Sequence, residues 1–332
     1  MTTRVPYPFA LAAIGLLLAS PALSAGPPPE AQVMTYVSGL WRKTGTPGIS
    51  VAVALKGKLV VSAGVGFADL DNLIPATGST VFNIGSVSKV NTAVAVMQLV
   101  EQGKVSLDDS IQKYIPAFPE KPEGTISIKH VLTHTAGVRH YRPTDFPESE
   151  DNESTRPLSW EDGLRIFRDD PLLFRPGQYY FYSSYAVNLL QGVIEKASGV
   201  SFEDFMRRNV WGPAGMLSTS FDVPARIVPH RAKSYRLVGG QPANYFFNDL
   251  TYKFASGGMI STAEDLVRLG AALNHGNLLR AETVALMYGP QLDPVMRFEE
   301  KDLPGSRSLP RACSGGYSRM RPGAPSSTIA GP

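Results

Sequence analysis

The sequence predicts an α+β fold, an antiparallel sheet with an inserted helical subdomain, and three observations predict it. Alternating apolar residues on both sides of Gly57 read as a β-hairpin over residues 49–63. Residues 90–100 contain no Gly or Pro and keep apolar side chains at helical spacing up to Leu99 and Val100. Residues 105–260 are mostly helical in pattern, with Pro-rich connections. Their helix starts are marked by Ser159-x-x-Asp162, Ser201-x-x-Asp204 and Ser261-x-x-Glu264, all capping patterns.

From the beginning of the chain, residues 1–25 read as an export signal. Arg4 gives the positive start, residues 9–18 the apolar core, and Ala22-Leu23-Ser24-Ala25 the small-residue cleavage region. The apolar run falls short of the roughly 20 residues that a spanning helix needs. A membrane anchor is the alternative reading, and the lack of a nearby cysteine argues against a lipid-anchored form. The expectation is a periplasmic or secreted protein with no stable membrane span after cleavage.

The remaining residues, 26–332, are enough for a large domain with a substantial core. The net charge of +3 drops to +2 when Arg4 is removed, so nothing in the charge calls for a nucleic-acid partner. The single cysteine, Cys313, excludes an internal disulfide and a cysteine-based metal cluster. Composition divides the chain into the signal, a main domain over 26–290, and a Pro- and Arg-rich tail over 291–332.

Residues 31–43 have a helical pattern that ends at Gly45-Thr46-Pro47-Gly48. The hairpin follows, then a third extended piece over 64–70, then the helix after Ser86, with Gly103 as its stop. If that helix begins near Ser86, then Ser86 and Lys89 share one face of its first turn. A serine hydroxyl becomes a nucleophile when a base takes its proton. A lysine serves as that base once burial lowers its pKa, and Ile84, Val87, Val90, Ala93 and Val94 form a candidate apolar wall. The alternative is an ordinary helix start, with Ser86 as cap and Lys89 solvated.

A second candidate is Tyr182, in the aromatic-rich turn before a helix over 186–197. Beside an ammonium group a tyrosine hydroxyl can shuttle a proton. The alternative is a core aromatic, since Tyr179, Tyr180 and Tyr185 are its neighbours. Ser86 is followed by Val87-Ser88, so it does not sit in a Gly-x-Ser-x-Gly elbow. His130 and His134, four apart, have the spacing of a metal pair, but no Glu stands at the zincin position.

Several segments, in this order, resemble the serine β-lactamase and penicillin-binding protein superfamily. They are Asn83-Ile84-Gly85-Ser86-Val87-Ser88-Lys89, residues 103–109, residues 131–141, residues 171–184 and residues 255–266. The likeness is to the class C-like branch, which includes the mitochondrial serine β-lactamase-like proteins and their bacterial relatives. The resemblance implies Ser86 as the acylated nucleophile, Lys89 as its base, and Tyr182 as the tyrosine of a Tyr-x-Asn/Ser motif. Ser184 falls in that motif's third, substrate-binding position. It implies acyl transfer from an amide or ester carbonyl of a small molecule or peptide, with no metal or organic cofactor. It also places His130 and His134 in a structural segment, and Ser256-Gly257-Gly258 reads as a tight turn.

The family's third motif, Lys-Thr-Gly or His-x-Gly on a late strand, has no counterpart in this sequence. Cys313-Ser314-Gly315-Gly316 lacks the histidine's charge and donors. Residues 291–332, with six prolines and five arginines, show no alternating strand. Such a tail is what a shifted reading frame, a truncated gene or a disordered segment gives. The C-terminal strands are therefore expected to be missing, and activity impaired. The alternative function is a non-catalytic assembly or binding protein on the same fold, since the resemblance includes a filament-forming member. The leading segment is open to test: expressed in a Gram-negative host, the chain should mature to an N-terminus near Ala25 or Gly26 and appear in the periplasm. N-terminal sequencing that finds Met1 on membrane-bound protein would favour the anchor.

Overall fold

A computed structural model describes residues 30–142, 144–146, 154–245 and 248–292. The leading segment 1–25, the tail from 293 onward and Cys313 lie outside the described residues. The first helix, α1 (Glu30–Thr44), is closed by the Trp41 indole, whose Nε1 donates to Pro47 O at 3.3 Å. Strands β1 (Gly48–Leu55) and β2 (Lys58–Asp69) pair antiparallel, with Val53 opposite Val61. Lys56 and Gly57 both have positive φ at the turn, as a tight two-residue hairpin demands. The extended piece over 64–70 is the continuation of β2 rather than a separate strand. Gly64 lets β2 run that close to its neighbour, because a Cβ there would stand 2.2 Å from Ala76 O. The sheet is completed by the short β3 (Ile74–Pro75), in the order β1-β2-β3.

A second antiparallel sheet joins distant parts of the chain. Its strands are β4 (Phe82–Asn83), β5 (Ser220–Phe221) and, later in sequence, β8 (Met259–Ser261) in the middle. Between them lies a hairpin of β6 (Tyr235–Val238) and β7 (Gln241–Asn244), so the middle of the chain is less helical than its pattern suggests. Among the described residues no strand follows β8.

The helical layer holds α2 (Ser88–Glu101), the short α3 (Ile111–Tyr114), α4 (Ile128–Leu132) and α5 (Trp160–Arg165), and the central α6 (Ser184–Ser198). After it come α7 (Phe202–Phe205), a π-helical stretch Met206–Trp211, α8 (Gly212–Ala214), α9 (Ala263–Asn274) and α10 (Ala281–Tyr288). Every residue of α6 from Ser184 to Ile194 is buried, the mark of a helix enclosed by others on all sides. Helix α2 packs against it, with Val94 to Met97 and Leu99 in the same core.

Ser159 and Ser201 cap α5 and α7 as their spacing predicts, accepting from Asp162 N and Asp204 N. The third start is displaced by one residue. Thr262, not Ser261, caps α9 and accepts from Asp265 N, because Ser261 is taken up by β8 and hydrogen-bonds Thr219.

Within the helical region, buried Arg139 holds several loops together. Its Nε donates to Asp170 (2.5 Å), Nη1 to Asp145 (2.8 Å) and His140 O (3.0 Å), and Nη2 to Ile166 O (2.9 Å). The Asp145 side chain is itself only 5% exposed and also accepts from the Tyr185 hydroxyl at 2.8 Å. Removing the guanidinium strands that carboxylate without its cation. Arg139→Leu should therefore lower unfolding free energy by about 3–5 kcal/mol in a urea titration; a loss under about 1 kcal/mol would mean the network is solvated.

Candidate active site

Ser86 does not start the α-helix but lies in a 3-10 turn, Gly85–Val87, just before α2. Gly85 has φ +47°, a conformation that glycine adopts without a Cβ clash. Its N–H donates to Asn83 Oδ1 at 2.9 Å, and Asn83 Nδ2 donates to Asp222 at 3.2 Å. Ser88 Oγ donates to Gly85 O (2.7 Å) and accepts from Met259 N (3.2 Å), tying the turn to β8. The result is a rigid support for an exposed Ser86 hydroxyl.

Lys89 meets three elements at once. Its Nζ is 3.0 Å from Ser86 Oγ, 3.0 Å from Ser184 Oγ and 2.6 Å from Ser256 O. Burial, reinforced by the positive charge of Lys253, lowers its pKa from 10.5 to about 7. A neutral amine has two N–H groups and one lone pair. Ser256 O can only accept, and Ser184 Oγ readily accepts, so the lone pair is left for the Ser86 proton. The apolar wall differs from the one the sequence suggests. Ile84 and Val94 are buried, but Val90 is 47% exposed on the outer face of α2. The start of α6 and the turn at Ser256 supply the rest of the burial. That turn is tight, as expected, with the N–H groups of Ser256, Gly257 and Gly258 all directed to Lys253 O.

Tyr182 completes the group, its hydroxyl donating to Ser86 Oγ at 2.7 Å. The Lys89 ammonium position is 4.9 Å from the centre of the Tyr182 ring. Ser86, Lys89, Tyr182 and Ser184, named separately from the sequence, thus converge on one point. Ser184 is buried, and its hydroxyl faces Lys89. Sequence reasoning named His134 only as a possible metal partner of His130 and Ser256 only as part of a tight turn, and it missed Lys253 and His140, because backbone acceptors and loop side chains carry no motif of their own. His134 Nδ1 accepts from Ser183 N (3.3 Å) and His140 Nδ1 from Ser184 N (3.2 Å). His130 instead accepts from Ser127 N in the capping box of α4. Among the described residues, no group of three or more His, Cys, Asp or Glu side chains is placed to hold a metal.

A family model, Beta-lactamase, matches residues 33–304. The chain belongs to the beta-lactamase family. The match runs past residue 290, into the stretch that composition sets apart. Bovine "Serine beta-lactamase-like protein LACTB, mitochondrial" is 31% identical, over 78% of this chain and 62% of its own length. This family member therefore spans less than two thirds of that relative. Among solved structures, "EstCE1, a hydrolase with promiscuous acyltransferase activity" is 26% identical with a TM-score of 0.68, covering 77% of this chain and 76% of that one. The octameric penicillin-binding protein homologue from Pyrococcus abyssi is 26% identical with a TM-score of 0.67, over 77% of this chain and 59% of that one. The fold is β-lactamase/transpeptidase-like, mixed helices with antiparallel sheets. Among the described residues no helix is long and apolar enough to cross a membrane.

The depressed pKa of Lys89 has a cost in stability that can be measured. Between about 7 and 10.5 the unfolded chain holds the lysine proton and the folded one does not, so stability rises with pH across that window. The penalty is full below about 7 and gone above 10.5. The stability of Lys89→Met relative to wild type should therefore be more favourable at pH 7 than at about pH 9.5. Equal differences at the two pH values, in paired denaturant titrations, would show that Lys89 keeps its ordinary pKa.

Proposed function

We propose that this chain is a serine hydrolase that forms an acyl-enzyme at Ser86 from amide or ester substrates. One observation carries the reading: Ser86 Oγ lies within hydrogen-bond reach of both Lys89 Nζ and the Tyr182 hydroxyl, at 3.0 and 2.7 Å. Neutral Lys89 takes the Ser86 proton as the oxygen attacks the carbonyl carbon. The tetrahedral oxyanion that forms is stabilised by backbone N–H groups, that of Ser86 among them. Tyr182 gives its proton to the leaving group as the C–N or C–O bond breaks and regains one from protonated Lys89; water then attacks the acyl carbon, one of its protons returns to Ser86 Oγ, and the acid leaves. Peptidase or esterase activity is favoured over β-lactam hydrolysis, and the likeness to EstCE1, a hydrolase with promiscuous acyltransferase activity, supports acyl transfer. The composition of residues 1–25 supports action in the periplasm or outside the cell.

The test is covalent labelling of the full chain with a fluorescent penicillin or an acylating ester probe, followed by intact-mass spectrometry. Wild type should gain one adduct, Ser86→Ala none, and Lys89→Ala should label about 10³-fold more slowly or worse, as when the base of a nucleophile–base pair is removed. An adduct on folded Ser86→Ala protein would place the nucleophile elsewhere. No labelling of folded wild type would favour the second reading, a non-catalytic binding or assembly protein.

A further inference from the structure

Two imidazoles stand behind the hydroxyl that faces Ser86, and acyl transfer as described above gives them no part. We propose that His134 and His140 form a neutral imidazole cradle that positions Tyr182 against Ser86, by accepting the N–H groups of the two residues after it. This rests on Ser86 as nucleophile, but the cradle is testable without turnover.

The geometry is specific. Ser183 is the N-cap of α6 and Ser184 its first residue, so their N–H groups are among the donors that a helix start leaves without an intrahelical partner. His134 Nδ1 takes the first at 3.3 Å and His140 Nδ1 the second at 3.2 Å. The same two rings bracket Tyr182. His134 lies 4.6 Å from it, tilted by 37°, and His140 meets it edge-on at 5.6 Å. The ring of Tyr182 and the backbone that follows it are therefore held by one pair of side chains.

Each histidine is fixed in turn. His134 has φ +57°, a left-handed conformation that is uncommon for a residue with a Cβ, and its carbonyl accepts from Phe181 N at 2.8 Å. His140 stacks on Tyr141 at 4.2 Å, and Tyr141 lies edge-on to Tyr185 at 4.9 Å. The buried Lys253 ammonium stands 4.8 Å from the centre of the Tyr141 ring.

An Nδ1 accepts an N–H only while it carries no proton, so both rings must be neutral, with the hydrogen on Nε2. The surroundings enforce this. Lys89 on α2, Lys253 before β8, and Arg139 in the loop that carries His140 are the cations nearby; Arg139 is paired with Asp145 and Asp170. Burial first, and the charge of Lys89 second, push His134 to about 4; burial, then Lys89, Lys253, His134 and Arg139, push His140 to about 3.

The test uses the full chain. With ¹⁵N-labelled histidine, NMR at pH 7 should show both rings with Nδ1 unprotonated and Nε2 protonated, unchanged down to about pH 5. Either ring in the Nδ1–H form would overturn the cradle. Acylation kinetics supply the second arm. His140→Phe keeps a ring but no acceptor, and should slow acylation at saturating probe by about 10- to 100-fold, the scale of a 1 Å misplacement, with half-saturation little changed. His140→Asn, which returns an acceptor near the Nδ1 position, should recover most of that loss. A folded Phe variant that acylates like wild type, or an Asn variant as slow as Phe, would overturn the proposal. Should the Phe variant not fold, the spectrum and the Asn variant decide, since folded Asn protein slowed tenfold or more would also count against it. If wild type itself is never labelled, the hydrolase reading fails, and the spectrum still decides the cradle.

Discussion

The position of one amine, Lys89 Nζ, depends on three parts of the chain that lie far apart in sequence. The turn at Ser86 brings the hydroxyl, the start of α6 brings Ser184 Oγ, and the turn before β8 brings the Ser256 carbonyl. No pair of these is enough. With only a carbonyl and a serine to receive its hydrogens, the amine turns its lone pair to Ser86, and burial makes the neutral form available near neutral pH. The strands matter chiefly because they fix these three turns. Strand β8 lies between β4, which leads into Ser86, and β5, and its entry carries Ser256.

Outside this contact the molecule is layered by charge and ring. Lys253, Tyr141, His140 and Tyr182 stand in succession at ring and cation distances of 4 to 6 Å. Arg139, beneath them, binds two carboxylates and two carbonyls, and its own carbonyl accepts from Ser183 Oγ at 2.7 Å. The stretch over 134–142 is thus part of the site's foundation, and its histidines approach the reacting groups. Buried polar networks of this kind are costly when one member is lost, which makes them specific rather than merely stabilising.

Holding a lysine neutral opposes stability, and the fold meets that opposition elsewhere. Helix α6 is buried along eleven consecutive residues from Ser184 to Ile194, and α2 contributes a core stripe against it. Hydrophobic burial on this scale outweighs the desolvation of a few polar groups by far. The polar site sits where the buried helices α2 and α6 begin.

The sequence by itself determined a good deal. The hairpin and the helix after Ser86 follow from side-chain period, and the caps at Ser159 and Ser201 follow from local hydrogen bonding within four residues. Ser86, Lys89, Tyr182 and Ser184 were legible because Ser86 and Lys89 stand three residues apart and Tyr182 and Ser184 two apart, and because their segments resemble a family. Only the tertiary structure decided what lies between those pieces. The two-residue strands β4 and β5 have no period to read and exist because β8 pairs with them. Thr262 displaced Ser261 as a cap because β8 claimed the serine, a contest between a local and a distant hydrogen bond. Val90 faces out, and the burial that shifts Lys89 comes from α6 and the Ser256 turn, 95 and 167 residues away in sequence. A pKa is set by everything within a few ångströms, and sequence order reveals that neighbourhood only along a single helix or turn.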